Sequence, residues 1–313
     1  MTNYKNFSSD FTGYLGNILN FLCEEKIDLS HLELPSDKHN AKKFIIANRL
    51  NFVCVKYFIE ETKDLFGCAT AAEWVSQEKL YRNNLNQAIS LISKRISYKK
   101  WILIKTVSSH PHFTSDIDVM VKDFSSRDLV NDLNPKLQYN SIQNGISKRD
   151  KIKVFIDGQV GISWTNTPDI SNEFIWKNTK AITLGSRKVT IPNENLDFLM
   201  RLGHIPFELA EFRLGEFIHL LDLSSKVDFE LIKQEAKNCG WPSTYRHALR
   251  KFDQLSKMMV VSGQESNTVS DDTKKYTFPH RYSYLKLALA VIEKRSWKKL
   301  LGARYLIKDR LFD

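Results

Sequence analysis

The amino-acid sequence predicts an α+β fold: a small mixed sheet set between an N-terminal and a C-terminal helical region. Three observations lead there. Apolar residues recur at helical spacing in residues 1–98, short β-rich segments crowd into 99–192, and the helical period returns over 193–313. With 313 residues, 42% of them hydrophobic, the chain can bury one large core or two modest ones.

In the first region Phe11, Leu15, Ile18, Leu19 and Leu22 mark one face of a helix. Leu34-Pro35-Ser36-Asp37 reads as a loop, and Ala41 to Phe66 has a similar helical texture. Leu80 to Ile96 follows, with Leu85, Ile89, Leu91, Ile92 and Ile96 on its apolar side. The pattern changes at Trp101. Trp101 to Ile104 is a short β-rich run, and Asp116 to Val121 alternates acid with aliphatic. A short helix is expected at Ser126 to Leu133, then strands at Lys153 to Ile156 and Val160 to Trp164. Ala181 to Leu184, Gly185-Ser186 and Lys188 to Ile191 read as a hairpin with a two-residue turn.

Past Pro192, Asn193 caps a helix carrying Leu196, Leu199, Met200 and His204. A second helix is expected to bury Leu209, Phe212, Phe217, Leu220 and Leu221. Asp228 caps a third, which Cys239-Gly240-Trp241-Pro242 ends. Ser262 to Lys275 is a polar loop before a basic final helix.

Composition narrows the functional classes. The N-terminal ten residues are too polar for a secretory signal, and no stretch reaches the roughly 18 to 20 apolar residues of a membrane span. A cytoplasmic location is the expectation. Four cysteines, Cys23, Cys54, Cys68 and Cys239, form no C-x-x-C pair, which points to reduced thiols rather than zinc or redox chemistry. Between Arg281 and Asp313, nine Lys and Arg residues face three acids, so this tail carries more than half of the net charge of +10. Such a tail suits nucleic acid, anionic lipid or a polyphosphate, and equally a solvated helix face.

The chemistry-bearing motif is Thr114-Ser115-Asp116-Ile117-Asp118-Val119-Met120-Val121. Alternation along a strand puts Asp116 and Asp118 on one face and Ile117, Val119 and Val121 on the other. Two carboxylates so close repel unless a cation lies between them or one stays protonated, and oxygen donors suit Mg²⁺ or Mn²⁺. An acidic strand face that meets only water is the plain alternative. Asp157-Gly158 is likewise, on local sequence, a hairpin-turn signal.

Ile102-Leu103-Ile104-Lys105, a loop, and then Asp-Ile-Asp on a strand resembles the nucleotidyltransferase fold of the DNA polymerase β-like superfamily. It is similar in particular to uncharacterised nucleotidyltransferases of archaea and bacteria. The similarity continues through Ile156-Asp157 and Ile162-Ser163-Trp164, then Trp176, Gly185, Val189 to Pro192, His204 and Leu221-Asp222-Leu223. It spans about Leu85 to Leu249. It implies a nucleotidyltransferase core at 99–192, flanked by helical regions at 1–98 and 193–313. It implies Asp116, Asp118 and Asp157 as the catalytic and metal-binding set for Mg²⁺ or Mn²⁺, with Lys105, Thr106, Ser108 and Ser109 in the nucleotide-binding loop. The expected reaction moves a nucleoside monophosphate from a nucleoside triphosphate such as ATP to a hydroxyl acceptor, a small molecule, protein or RNA, and releases pyrophosphate. A toxin-like enzyme acting on tRNA or protein is one variant of this expectation. The competing one is a catalytically degenerate binding module that holds nucleic acid through its basic C-terminal helix.

This chain departs from the family pattern in two places. No glycine lies between Trp101 and Asp118, where the superfamily has Gly-Ser or Gly-Gly, and Gln159 stands where relatives often carry His. Among the remaining polar residues, His110-Pro111-His112 reads first as loop polarity, and His204 as a hydrogen-bonded core histidine. Arg201 and Arg213 are placed to reach phosphate or to sit at the surface, and Lys148 to Lys151 is a solvated turn beside the third strand. Trp297 and Tyr305 in the tail suit base stacking or ordinary packing.

Overall fold

In the computed structural model the described residues are 10–23, 34–96, 100–112, 114, 116–122, 155–159, 161–162, 169–205, 211–259 and 280–281. They form a mixed helix-and-strand, α+β architecture. The expected helix at Ser126 to Leu133, the polar loop at Ser262 to Lys275 and the basic tail beyond Arg281 lie outside them, as do Lys148 to Lys151.

The first helix, α1 (Phe11–Cys23), follows its apolar spacing. The stretch from Ala41 to Phe66 divides into three helices, α2 (Lys38–Ala47), α3 (Asn51–Tyr57) and α4 (Ile59–Phe66). The first break is a helix-ending loop: Arg49 takes φ 58°, its N–H bonds to Ile46 O, and Leu50 N–H bonds to Ile45 O. Next, α5 (Cys68–Arg95) is longer than its apolar half alone predicts.

Strand β1 (Trp101–Ile104) runs antiparallel to β2 (Asp116–Val121), which pairs in parallel with β3 (Phe155–Gln159), giving the order β1-β2-β3. The strand expected at Lys153 to Ile156 is described from Phe155 and continues through Asp157-Gly158. Of the strand expected at Val160 to Trp164, Val160, Ser163 and Trp164 lie outside the described residues, and Ile162 forms an isolated bridge with Ile170. Helix α6 (Asn172–Lys177), capped by the Ser171 side chain, was not expected. The hairpin is as predicted: β4 (Thr179–Leu184) and β5 (Arg187–Pro192) join across Gly185-Ser186, with Gly185 at φ 62°.

Asn193 caps α7 (Glu194–His204) through Leu196 N–H. The following helix starts later than expected: α8 spans Leu214–Ser224. Phe212 lies instead in β6 (Glu211–Phe212), paired with β7 (His280–Arg281). Asp228 caps α9 (Phe229–Asn238). Pro242 does not merely follow α9. It opens α10 (Pro242–Met259), at the first-turn position where its missing N–H costs nothing.

The β1-β2-β3 sheet is covered on both faces. Leu103, Ile117, Val119 and Val121 meet Leu85, Ile89, Ile92 and Ile96 of α5 and Val189 and Ile191 of β5. Ile102, Ile104 and Met120 on the other face join the larger core built by α1, α3 and the C-terminal helices. Trp241 ties that core to the segment before α6, donating from Nε1 to Asp169 O at 2.7 Å. Among the described residues no helix is long and apolar enough to cross a membrane.

Candidate active site

The register assembles the acid positions. Asp118 lies opposite Asp157 across the parallel β2–β3 pair, and Asp116 opposite Phe155. Adjacent strands are about 4.8 Å apart, and same-face positions repeat every second residue. Positions 116, 118 and 157 therefore share one face at one end of the sheet. Asp157 sits within a strand, so the hairpin-turn alternative for Asp157-Gly158 does not apply. Nor does Asp118 merely meet water, since it is 8% exposed. The side chains of Asp116 and Asp157 lie outside the described residues. Among those described, no group of three or more His, Cys, Asp or Glu is arranged to hold a metal ion.

On the other side of Asp118 stands Ile104, its antiparallel partner and the last residue of β1. The next residue, Lys105, has φ 55°. A side-chain-bearing residue is strained there, because Cβ crowds the carbonyl, and glycine is the usual occupant. The chain thus makes its sharp turn off β1 beside the acid position without the glycine that the sequence lacks.

The loop is held from behind. Arg201 on α7, 3% exposed, donates to Lys105 O at 3.2 Å and to Val107 O at 2.8 Å. Its Nε donates to Asp197 Oδ1 at 2.8 Å. The other oxygen of Asp197 is 2.8 Å from His219 Nε2 on α8. His219 Nδ1 accepts the Ser109 N–H at 3.0 Å, with Ser109 Oγ 3.1 Å away. A backbone N–H can only donate, so Nδ1 is the unprotonated nitrogen and Nε2–H points at the carboxylate. Burial by itself would raise the Asp197 carboxyl, but Arg201 and His219 outweigh it and bring it down to about 2. Burial, reinforced by Arg201, lowers His219 below its ordinary value despite Asp197. The network at neutral pH is Arg⁺, Asp⁻ and neutral His.

Lys105, Ser108 and Ser109 line a cavity of about 230 Å³ under the β4–β5 hairpin. Lys180, Lys226, Asp197, His219 and Asp222 also line it, over an apolar floor that includes Leu103, Ile182 and Ile191. Lys180 pairs with Glu194, and Lys226 with Asp222. Of the four loop residues expected at a nucleotide, three therefore share one cavity. Thr106 does not join them: it is buried and its hydroxyl donates to Ile104 O at 3.0 Å. Asp118 is not among the described residues that line the cavity.

Two histidines depart from their reading as loop polarity. His110 is 7% exposed and His112 9%, and both ring nitrogens of His110 are without a hydrogen-bond partner. Burial, then His219 and Arg201, pushes His110 down to about 3, and burial with Arg201 holds His112 far below the usual range. His204 ends α7 half-buried. Arg201 is neither a surface residue nor free to reach a ligand. Sequence reasoning missed Asp197 and His219 entirely. The only trace of them is the i, i+4 spacing of Asp197 and Arg201 among the apolar residues of α7, and a His on the buried side of the next helix.

No protein-family model, curated protein or solved structure matches this chain.

Proposed function

We propose that the protein is a metal-dependent nucleotidyltransferase, which transfers a nucleoside monophosphate from a nucleoside triphosphate to a hydroxyl acceptor. The observation that carries this reading is the β2–β3 register. It sets Asp118, buried, beside Asp157 and two residues from Asp116, next to the start of the Lys105–Ser109 loop. Neighbouring carboxylate positions in a buried setting require a compensating cation or proton. Three hard oxygen donors fit Mg²⁺ or Mn²⁺.

Asp116, Asp118 and Asp157 would hold that ion, which when bound supplies neutralisation of phosphate charge and a lowered pKa at the acceptor hydroxyl. The chain's own residues do the remaining work. Lys105 supplies a cation and Ser108 a hydroxyl to the cavity, while Ser109, which also lines it, keeps its N–H on His219. At about 230 Å³ the cavity is below the roughly 300 to 1,000 Å³ of whole small-molecule sites, so it suits a phosphate tail rather than an entire nucleotide. Asp157, on the strand neighbouring Asp118, is the residue assigned to take the acceptor's proton.

The test is pyrophosphate release from each nucleoside triphosphate with Mg²⁺ or Mn²⁺, in cell extract as a source of acceptor. Asp116→Asn with Asp118→Asn abolishes metal-dependent release while the unfolding midpoint stays within a few degrees. Retained release in the doubly substituted chain refutes the mechanism.

A further inference from the structure

We infer that Arg201, Asp197 and His219 are positioning residues that hold the Lys105–Ser109 loop in its left-handed turn, in the role a glycine would otherwise fill. The inference rests on the reading of that loop as the triphosphate-binding loop. Its geometric basis is separate. Lys105 occupies φ 55°, a conformation that persists at a side-chain-bearing residue only where the surroundings impose it. The surroundings here are specific. One guanidinium nitrogen of Arg201 bonds the carbonyls of Lys105 and Val107, on either side of Thr106. His219 takes the N–H of Ser109 at the far end. Asp197 aims both of them, with one oxygen on each. Three backbone groups of a five-residue loop are thus fastened to two helices remote in sequence. The phosphate-facing lining, Ser108 and the Lys105 side chain, lies between those anchors.

The alternative is that Arg201 and Asp197 are only an ion pair that stabilises the helices. Arg201→Lys separates the two, because a lysine keeps a cation for Asp197 but cannot present nitrogens to Asp197 and both carbonyls at once. Amide hydrogen exchange on the full chain reads loop order without any activity. Arg201→Lys should speed exchange in the peptide covering residues 105–109 about tenfold, as loss of a roughly 1.4 kcal/mol anchoring interaction does. Exchange in α9 and α10 should be unchanged. Adding Lys105→Gly restores protection, because glycine accepts φ 55° unaided, whereas adding Lys105→Ala does not. Should Arg201→Lys not fold, the comparison on the otherwise native chain decides: Lys105→Gly raises the unfolding midpoint and Lys105→Ala does not.

Unchanged loop exchange in Arg201→Lys, or equal behaviour of the glycine and alanine variants, overturns the inference. With MgATP, Arg201→Lys raises KM about tenfold and alters kcat much less. Faster loop exchange with an unmoved KM also overturns it, because the loop would then not meet phosphate. If the native chain releases no pyrophosphate from any triphosphate, the proposed reaction fails while the exchange measurements still decide the anchoring.

Discussion

Replacement of Asp197 by asparagine isolates the network from the rest of the core. Both carboxylate oxygens accept, one from Arg201 Nε and one from His219 Nε2, each at 2.8 Å. An asparagine offers one acceptor, and its amide N–H₂ must face a second donor. His219 cannot resolve this by shifting its proton, because Nδ1–H would then oppose the Ser109 N–H that it now accepts. Whichever way the amide turns, one buried donor is unsatisfied and the Arg201 cation has no counter-ion within the network. Removing one partner of a buried pair costs about 3 to 5 kcal/mol. The proton linkage gives an independent figure. Asp197 falls from 3.8 to about 2 on folding, and at about 1.4 kcal/mol per unit that is on the order of 2 kcal/mol. Because the folded-state value is the lower one, this stabilisation is fully present above pH 3.8 and is lost as pH falls through about 2. Urea unfolding followed by circular dichroism at a series of pH values is the assay. Asp197→Asn should unfold about 3 kcal/mol more easily at pH 7, with the gap closing between about pH 4 and pH 2. A gap under about 0.5 kcal/mol at neutral pH, or one that does not vary with pH, would refute the reasoning.

The remaining predictions concern the buried surroundings of the same loop. His110→Leu removes two unpartnered buried nitrogens, so it should leave stability at pH 7 unchanged or raise it by about 1 kcal/mol. Since folding lowers His110 from 6.5 to about 3, the native chain loses stability as pH falls below 6.5. His110→Leu should remove roughly 2 kcal/mol of that loss between pH 7 and pH 5, about 1 kcal/mol per pH unit, measured by urea midpoints. An equally steep slope in the variant counts against the buried, neutral histidine. Gly215→Ala places a Cβ 2.7 Å from Asn48 O and 3.3 Å from His110 Nε2, and the first is backbone. It should destabilise by about 1 to 3 kcal/mol, more than the helix-propensity gain of up to about 1 kcal/mol returns. An unshifted urea midpoint rejects the close α2–α8 approach.

Local pattern made parts of this molecule legible. The β4–β5 hairpin needed only Gly185-Ser186 between two β-rich runs, and α7 and α9 needed only Asn193 and Asp228 as caps. The two-residue period of Asp116 to Val121 was enough to place Asp116 and Asp118 together on one face, with Ile117, Val119 and Val121 in the core. Where two elements meet end to end, local pattern misled. Pro242 reads as a stop after α9 and is also a good first residue of α10, and the sequence weighs both equally. Phe212 fits an apolar helix face but pairs with His280, a partner remote in sequence.

What the amino-acid sequence determined alone is the set of local choices: turn chemistry, caps, strand alternation, and hence which side chains can share a face. Each depends on interactions within a few residues, so a short window contains the whole cause. The pairing of Asp118 with Asp157, the left-handed turn at Lys105, and the Arg201–Asp197–His219 anchor were decided only by tertiary structure. In each case the deciding energy is a hydrogen bond or charge contact between segments far apart in the chain. No local preference of lysine for φ 55°, or of histidine for a serine N–H 110 residues away, exists to be read in advance.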